Sequence, residues 1–227
     1  MTDSLTDARR PRATATVVAT VAALVVLSIL SFGFRESLYR AIAGSARDSP
    51  SAVHEIVDIT ATRGLLALVA TTAVVVVAAW RRGREHFLLI VSAGVGTIAA
   101  YAGSEMTKAL VTQERPCRAI GIDTVTACPG AGDWSWPSNH ATIAAAFATA
   151  CVMVVRRLWP LVAAAALLIA AARVAAGVHY VHDVLSGITL GILATVAVGL
   201  LVNTGLRRVF APSGSAGAGV ATVRRSR

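Results

Sequence analysis

Eight residues in this chain have the types and the spacing to handle a phosphoryl group. Lys108, the only lysine, is followed seven positions later by Arg115-Pro116. Pro137-Ser138-Asn139-His140 opens an apolar block, and Arg173, His179 and Asp183 lie at the end of one such block and the start of the next. Phosphoryl transfer carries negative charge on the non-bridging oxygens throughout, so it needs cations and oriented donors. Lys108, Arg115 and Arg173 supply the cations, the arginines as planar bidentate forks. Ser138 reads as a helix N-cap, where free backbone N–H groups favour an anion. His140 and His179 supply a proton donor and a nucleophile. Asp183, one helical turn after His179, can orient its imidazole.

The elements that must hold these residues are apolar. The chain has 227 residues, 56% hydrophobic and 15% charged, with a mean hydropathy of +0.68. A soluble domain carries about 25% charged residues, and a bilayer crossing takes roughly 20 apolar ones. Spans are predicted near 14–34, 62–80, 86–107, 138–155, 160–178 and 184–206. The first block resembles a signal peptide but is long for one and lacks a small-residue cleavage site, so it reads as a retained span. The expectation is an all-α, six-transmembrane-helix bundle over 14–208, preceded by a cytoplasmic segment, 1–13, and followed by a flexible basic tail, 209–227. No internal repeat stands out.

The net charge is +9. The arginines cluster at 9–12, 81–84, 156–157 and 207–208, between apolar blocks rather than in a nucleic-acid motif, so no nucleic-acid partner is expected. With six spans all four clusters share one side, which the positive-inside rule makes the cytoplasm. Both termini are then cytoplasmic, and segments 35–61, 108–137 and 179–183 face outward, with 35–61 forming a short interfacial helix and loop. Ionisable residues are costly inside a bilayer. On this topology all the chemical residues lie at the outer membrane–water boundary. Cys117 and Cys128 share the outward loop and are expected to form a disulfide, the alternative being two free thiols. Cys151 reads as packing.

The three groups of residues together resemble the type-2 phosphatidic acid phosphatase superfamily, whose site is shared with vanadium haloperoxidases. Its first motif is Lys, six residues, then Arg-Pro, as in Lys108 to Arg115-Pro116. Its second is Pro-Ser-Gly-His, matched by Pro137-Ser138-Asn139-His140 with Asn for Gly. Its third is Ser-Arg, five residues, His, three residues, Asp, matched by Arg173, His179 and Asp183 with Ala172 for Ser. The likeness covers about 100–206. It implies that His179 is the nucleophile of a phosphohistidine intermediate, oriented by Asp183. His140 then protonates the leaving oxygen and later activates water. Lys108, Arg115, Ser138, Asn139 and Arg173 bind the phosphate. The resemblance implies neither a metal nor another cofactor.

Other polar residues read more plainly. His182 matches no motif position and is expected to be structural; His54 and His86 are interfacial. Glu105 either pairs with Lys108 or is solvated, and Asp123 and Asp133 face water. Trp80, Trp134, Trp136 and Trp159 read as interfacial aromatics, with Trp134 and Trp136 also placed to touch a lipid chain. The expected partner is a membrane lipid in the plasma membrane. A polyprenyl diphosphate such as undecaprenyl diphosphate is the first expectation, with phosphatidic acid and phosphatidylglycerol phosphate as rivals. A phosphotransferase, and a transporter that kept a phosphate pocket, are the alternatives of other kinds.

Overall fold

The structure, a computed structural model, describes residues 9–210, with side chains from Thr14 onward. The N-terminal segment is thus covered only in part, and the tail beyond Phe210 lies outside the described residues. All regular structure among the described residues is helical: α1 (Arg9–Gly33), α2 (Arg35–Arg47), α3 (Ser51–Arg82), α4 (Arg84–Val111), α5 (Pro116–Ala119), α6 (Asn139–Val154), a 3₁₀ turn (Arg156–Leu158), α7 (Trp159–Ala175) and α8 (Val181–Val209).

Five helical stretches are long and apolar enough to cross a membrane, Thr14–Gly33, Ser51–Arg82, Arg84–Ala119, Arg156–Ala175 and Val181–Val209. The chain is a multi-pass membrane protein by this measure. The sixth expected span, α6, is apolar but has 16 residues, about 24 Å of helix against roughly 30 Å of hydrocarbon. Large apolar side chains such as Ile29, Val74 and Leu110 are exposed on the outside of the bundle, where lipid tails rather than water suit them.

Two boundaries differ from the sequence reading. Segment 35–61 holds almost no loop: α2 is followed within four residues by α3, which starts at Ser51 directly after Pro50. Pro50 has extended backbone angles and lacks an N–H, so it ends one helix and admits another. Helix α4 runs past Lys108 to Val111 and stops at Thr112, which adopts the left-handed conformation. Lys108 therefore sits on a rigid helix instead of in a loop.

The bundle is organised around α8, against which α1, α4 and α6 pack, while α7 lies between α3 and α6. Glycines on α8 permit the closest of these approaches. A Cβ on Gly187 would stand 2.6 Å from the Ser138 carbonyl oxygen, and one on Gly191 would overlap the Thr142 carbonyl. The start of α6, with Ser138 and His140, is thereby pressed against the first turns of α8, which carry Asp183. Helix α2 buries Tyr39, Ala43 and Ala46, one face at helical spacing. Tyr39 donates a 3.0 Å hydrogen bond to the Gly177 carbonyl, which ties this helix to the turn before His179.

The candidate active site

The motif residues come from four regions of the bundle and meet at one end. Lys108 lies in the last turn of α4, Arg115 just before α5, Ser138 and Asn139 at the start of α6 with His140 after them, and Arg173 in the last turn of α7. His179 stands in the turn between α7 and α8, and Asp183 in the first turn of α8. That turn needs Gly177, whose φ is +83° and whose missing side chain leaves room for Thr124. Lys108, Arg115, Ser138, Arg173, His179 and Asp183 are buried, and His140 is half-buried. The charges of Arg115, Arg173, Lys108 and His140 all act on His179.

Asp183 is fully buried and fully paired. Its Oδ2 accepts from Ser135 Oγ and from the Tyr180 N–H at 2.8 Å. Its Oδ1 accepts from Gln113 Nε2 at 2.9 Å and faces His182 Nε2 at 3.1 Å. His179 Nδ1 lies 3.4 Å from Oδ2, a longer contact of the kind that tightens when a site is engaged. On the other side of the ring, Arg115 Nη1 lies 3.0 Å from His179 Nε2. A guanidinium only donates, so Nε2 accepts and the ring proton sits on Nδ1, toward Asp183 and Ser135. Burial, reinforced by Arg115 and Arg173, holds the His179 pKa well below its ordinary value. The imidazole is neutral, with its Nε2 lone pair turned to the cations.

Arg115 is heavily engaged: it also donates to the Val178 carbonyl at 2.9 Å, to the Asp133 carbonyl at 2.9 Å and to Asp133 Oδ1 at 2.8 Å. Arg173 is the opposite. It is 7% exposed, its one hydrogen bond among the described residues is to the Ala61 carbonyl at 3.3 Å, and its Nε has no partner. Ser138 Oγ is likewise buried without a partner. The N-cap expectation for Ser138 holds for its backbone position but not for its side chain, which makes no capping bond. A hydroxyl and a guanidinium left unpaired in a buried cationic cluster suit an anion, since such groups otherwise cost free energy.

Several polar residues do more than the sequence suggested. Asp133 does not simply face water: its Oδ1 pairs with Arg115 and, at 3.4 Å, with Lys108 Nζ. Partial desolvation would raise its pKa, but hydrogen bonding and charge from Arg115 and Lys108 outweigh that and hold it below the usual carboxylate value. Glu105 accepts from Asn139 Nδ2, and Ser104 donates to Asn139 Oδ1 at 2.6 Å. The Asn139 amide is thus occupied by α4, leaving its backbone N–H for an anion. His182 stacks on Tyr180 at 5.3 Å, meets the edge of Phe32 at 4.9 Å and reaches Gln113 Oε1 at 3.2 Å, a structural place directly behind Asp183. Gln113, Ser135 and Asp133 were missed. They sit in an irregular segment with no periodicity, and the one hint was their closeness to Arg115 and Ser138 in sequence.

The loop that carries them is braced. Cys117 and Cys128 form a disulfide with Cα atoms 6.0 Å apart, Arg118 donates to the Pro129 and Gly130 carbonyls, and the Ser135 N–H donates to the Gln113 carbonyl at 2.8 Å. Beside the site, a groove of about 370 Å³ runs between α1, α4 and α8. Val25, Ile29, Leu190 and Leu193 line it, and Trp136 and Pro137 form part of its wall. Trp136 Nε1 is held by Ser186 Oγ at 2.9 Å. Among the described residues no three His, Cys, Asp or Glu side chains are placed to share a metal ion.

Comparison with known proteins identifies the family and the fold. The model of the PAP2 superfamily matches residues 87–207, which include all eight site residues. Among solved structures the fold is similar to a transmembrane PAP2-type phosphatidylglycerolphosphate phosphatase from Bacillus subtilis, with a TM-score of 0.54 and 20% identity, covering 84% of this chain and 97% of that one. No curated protein matches the chain.

Proposed function

This chain belongs to the PAP2 superfamily and is a phosphoric ester hydrolase, and from that premise we propose that it dephosphorylates a membrane lipid through a phosphohistidine. The observation that carries the reading is the unpaired Arg173 Nε and Ser138 Oγ, buried in the same cluster as the neutral His179. Lys108, Arg115, Arg173, Ser138 and the backbone N–H of Asn139 hold the non-bridging oxygens. His179 Nε2 attacks phosphorus as Arg115 withdraws from it. The bond to the leaving oxygen breaks, and that oxygen takes a proton from His140. Asp183, facing the Nδ1 proton, orients the ring and stabilises the positive charge that develops on it when phosphorylated. His140, now neutral, takes a proton from water, whose oxygen attacks phosphorus, and His179 is released with inorganic phosphate.

The lipid reading rests on position. The apolar groove adjoins Pro137, one residue from Ser138, so a headgroup can reach the cations while its chain stays among α1, α4 and α8. A polyprenyl diphosphate, undecaprenyl diphosphate first, is the proposed substrate, hydrolysed to the monophosphate. Phosphatidylglycerol phosphate is the second reading, favoured by the likeness to the B. subtilis phosphatase. We also assign six crossings in the plasma membrane, α6 being the sixth, with both termini cytoplasmic and the site outside. Arg81, Arg82 and Arg84 mark the α3–α4 junction, Arg156 and Arg157 the α6–α7 junction, and Arg207 and Arg208 the last turn of α8, where Arg207 pairs with Glu85; a disulfide in the loop between α4 and α6 suits an oxidising compartment.

The test is phosphate release by the detergent-purified chain from undecaprenyl diphosphate, phosphatidic acid and phosphatidylglycerol phosphate in parallel, with His179→Ala as the blank. Release that disappears in the variant supports the phosphatase, and the relative rates rank the lipids. Folded protein that releases none refutes it. A phosphorylated alcohol appearing in place of free phosphate would point to phosphotransfer.

A further inference from the structure

The phosphate-binding side chains of the proposed site divide into two pairs. Arg173 and Ser138 have unpaired atoms, whereas Lys108 and Arg115 are already engaged by one carboxylate, Asp133. The partners differ in burial: the side chains of Lys108 and Arg115 are 7% and 3% exposed, that of Asp133 50%. The carboxylate can therefore turn out to water at small cost, while the two cations cannot follow it. The same contact positions Arg115. With its Nη2 on Asp133 Oδ1 and its Nε on the Asp133 carbonyl, its Nη1 points at His179 Nε2, the atom proposed to attack phosphorus.

We propose that Asp133 is a built-in competitor of the substrate, a loop carboxylate that holds Lys108 and Arg115 and is displaced by the lipid phosphate. Its displacement frees Arg115 to follow the phosphate and uncovers the His179 lone pair. An anion with more than one charge offers these cations more than a lone carboxylate does, so the exchange favours a phosphate ester over singly charged headgroups. The competitor also weakens the hold on the released phosphate. The inference rests on the phosphatase reading, but its prediction concerns anion binding and can be read without turnover.

The experiment is isothermal titration of inorganic phosphate into the detergent-purified full chain, comparing wild type with Asp133→Asn and Asp133→Ala. The Asn variant keeps the backbone carbonyl that holds Arg115 Nε and a side chain of nearly the same shape. Removing a partly exposed competing ion pair should lower the phosphate Kd about threefold to tenfold in each variant that folds, with a matching fall in KM for the lipid. A carboxylate that merely organised the site would do the opposite on removal. An unchanged or raised Kd, or no phosphate binding by any of the three proteins, overturns the proposal. Wild-type phosphate release, lost in His179→Ala, tests the phosphatase reading separately. If it persists while the Kd does not fall, the competitor alone is wrong.

Discussion

Arg115 and His179 are joined nitrogen to nitrogen, Nη1 to Nε2 at 3.0 Å. Because the guanidinium cannot accept, this contact settles the tautomer of His179 and marks Nε2 as the atom with a free electron pair. Replacing Arg115 by Lys keeps the charge but removes the fork that binds Nε2, the Val178 carbonyl and Asp133 together. The expected loss in kcat/KM is about a hundredfold to a thousandfold, read by steady-state phosphate release. A loss under about threefold, within the noise of a surface change, would show that charge alone suffices.

Arg173 is held by one hydrogen bond, to Ala61, and is otherwise available to an anion. Arg173→Lys should lower kcat/KM by a similar factor. Since its Nε serves nothing else among the described residues, the folded protein should melt within a few degrees of wild type. A large drop in Tm together with retained activity would reverse that assignment and make Arg173 a structural residue.

The donors around Asp183 predict a graded series. Asp183→Asn inverts the pairing with the Nδ1 proton of His179 and should cost about 10³–10⁴ in kcat. Ser135→Ala, Gln113→Ala and His182→Ala each remove one outer contact of the carboxylate, and about tenfold each is expected, in kcat rather than KM. His182→Ala matching Asp183→Asn in severity would promote His182 from support to chemistry.

His179 also makes stability depend on pH. Its folded pKa lies well below the ordinary 6.5, through burial first and then the charge of Arg115. Between the two values the unfolded chain binds the extra proton and the folded one does not, so stability rises with pH there. The contribution is fully present above about 6.5 and is lost as pH falls toward the folded value. The Tm in detergent should fall between about pH 7 and 5, and less steeply in His179→Gln. Parallel slopes in the two proteins would remove His179 from the account.

The Cys117–Cys128 bond closes a short loop, with a sequence separation of 11. Substituting both with Ser should cost about 2–3 kcal/mol. Asp133 and Ser135 follow Cys128 by five and seven residues in the same inter-helix segment, so activity should fall before global unfolding does. Thermal inactivation curves that stay superimposed on wild type, with or without reductant, would show the brace to be dispensable.

Much of this molecule was legible in one dimension. The apolar blocks and the arginines between them require a helical bundle in a membrane, because lipid leaves a backbone no other partner than itself. The positions of Lys108, Arg115, Ser138, His140, Arg173, His179 and Asp183 relative to those blocks place them together at helix ends. Tertiary structure decided what lies between. Asp133 became a partner of Lys108 and Arg115, Gln113 and Ser135 became donors to Asp183, and Asn139 was taken up by Ser104 and Glu105. Such pairings depend on where an aperiodic loop folds back, and on which carboxylate a buried cation finds within reach. Helical periodicity is a local property of the chain and can be read along it. The counter-charge of a buried group is settled only when distant segments are packed together, as Gly187 and Gly191 let α6 and α8 do.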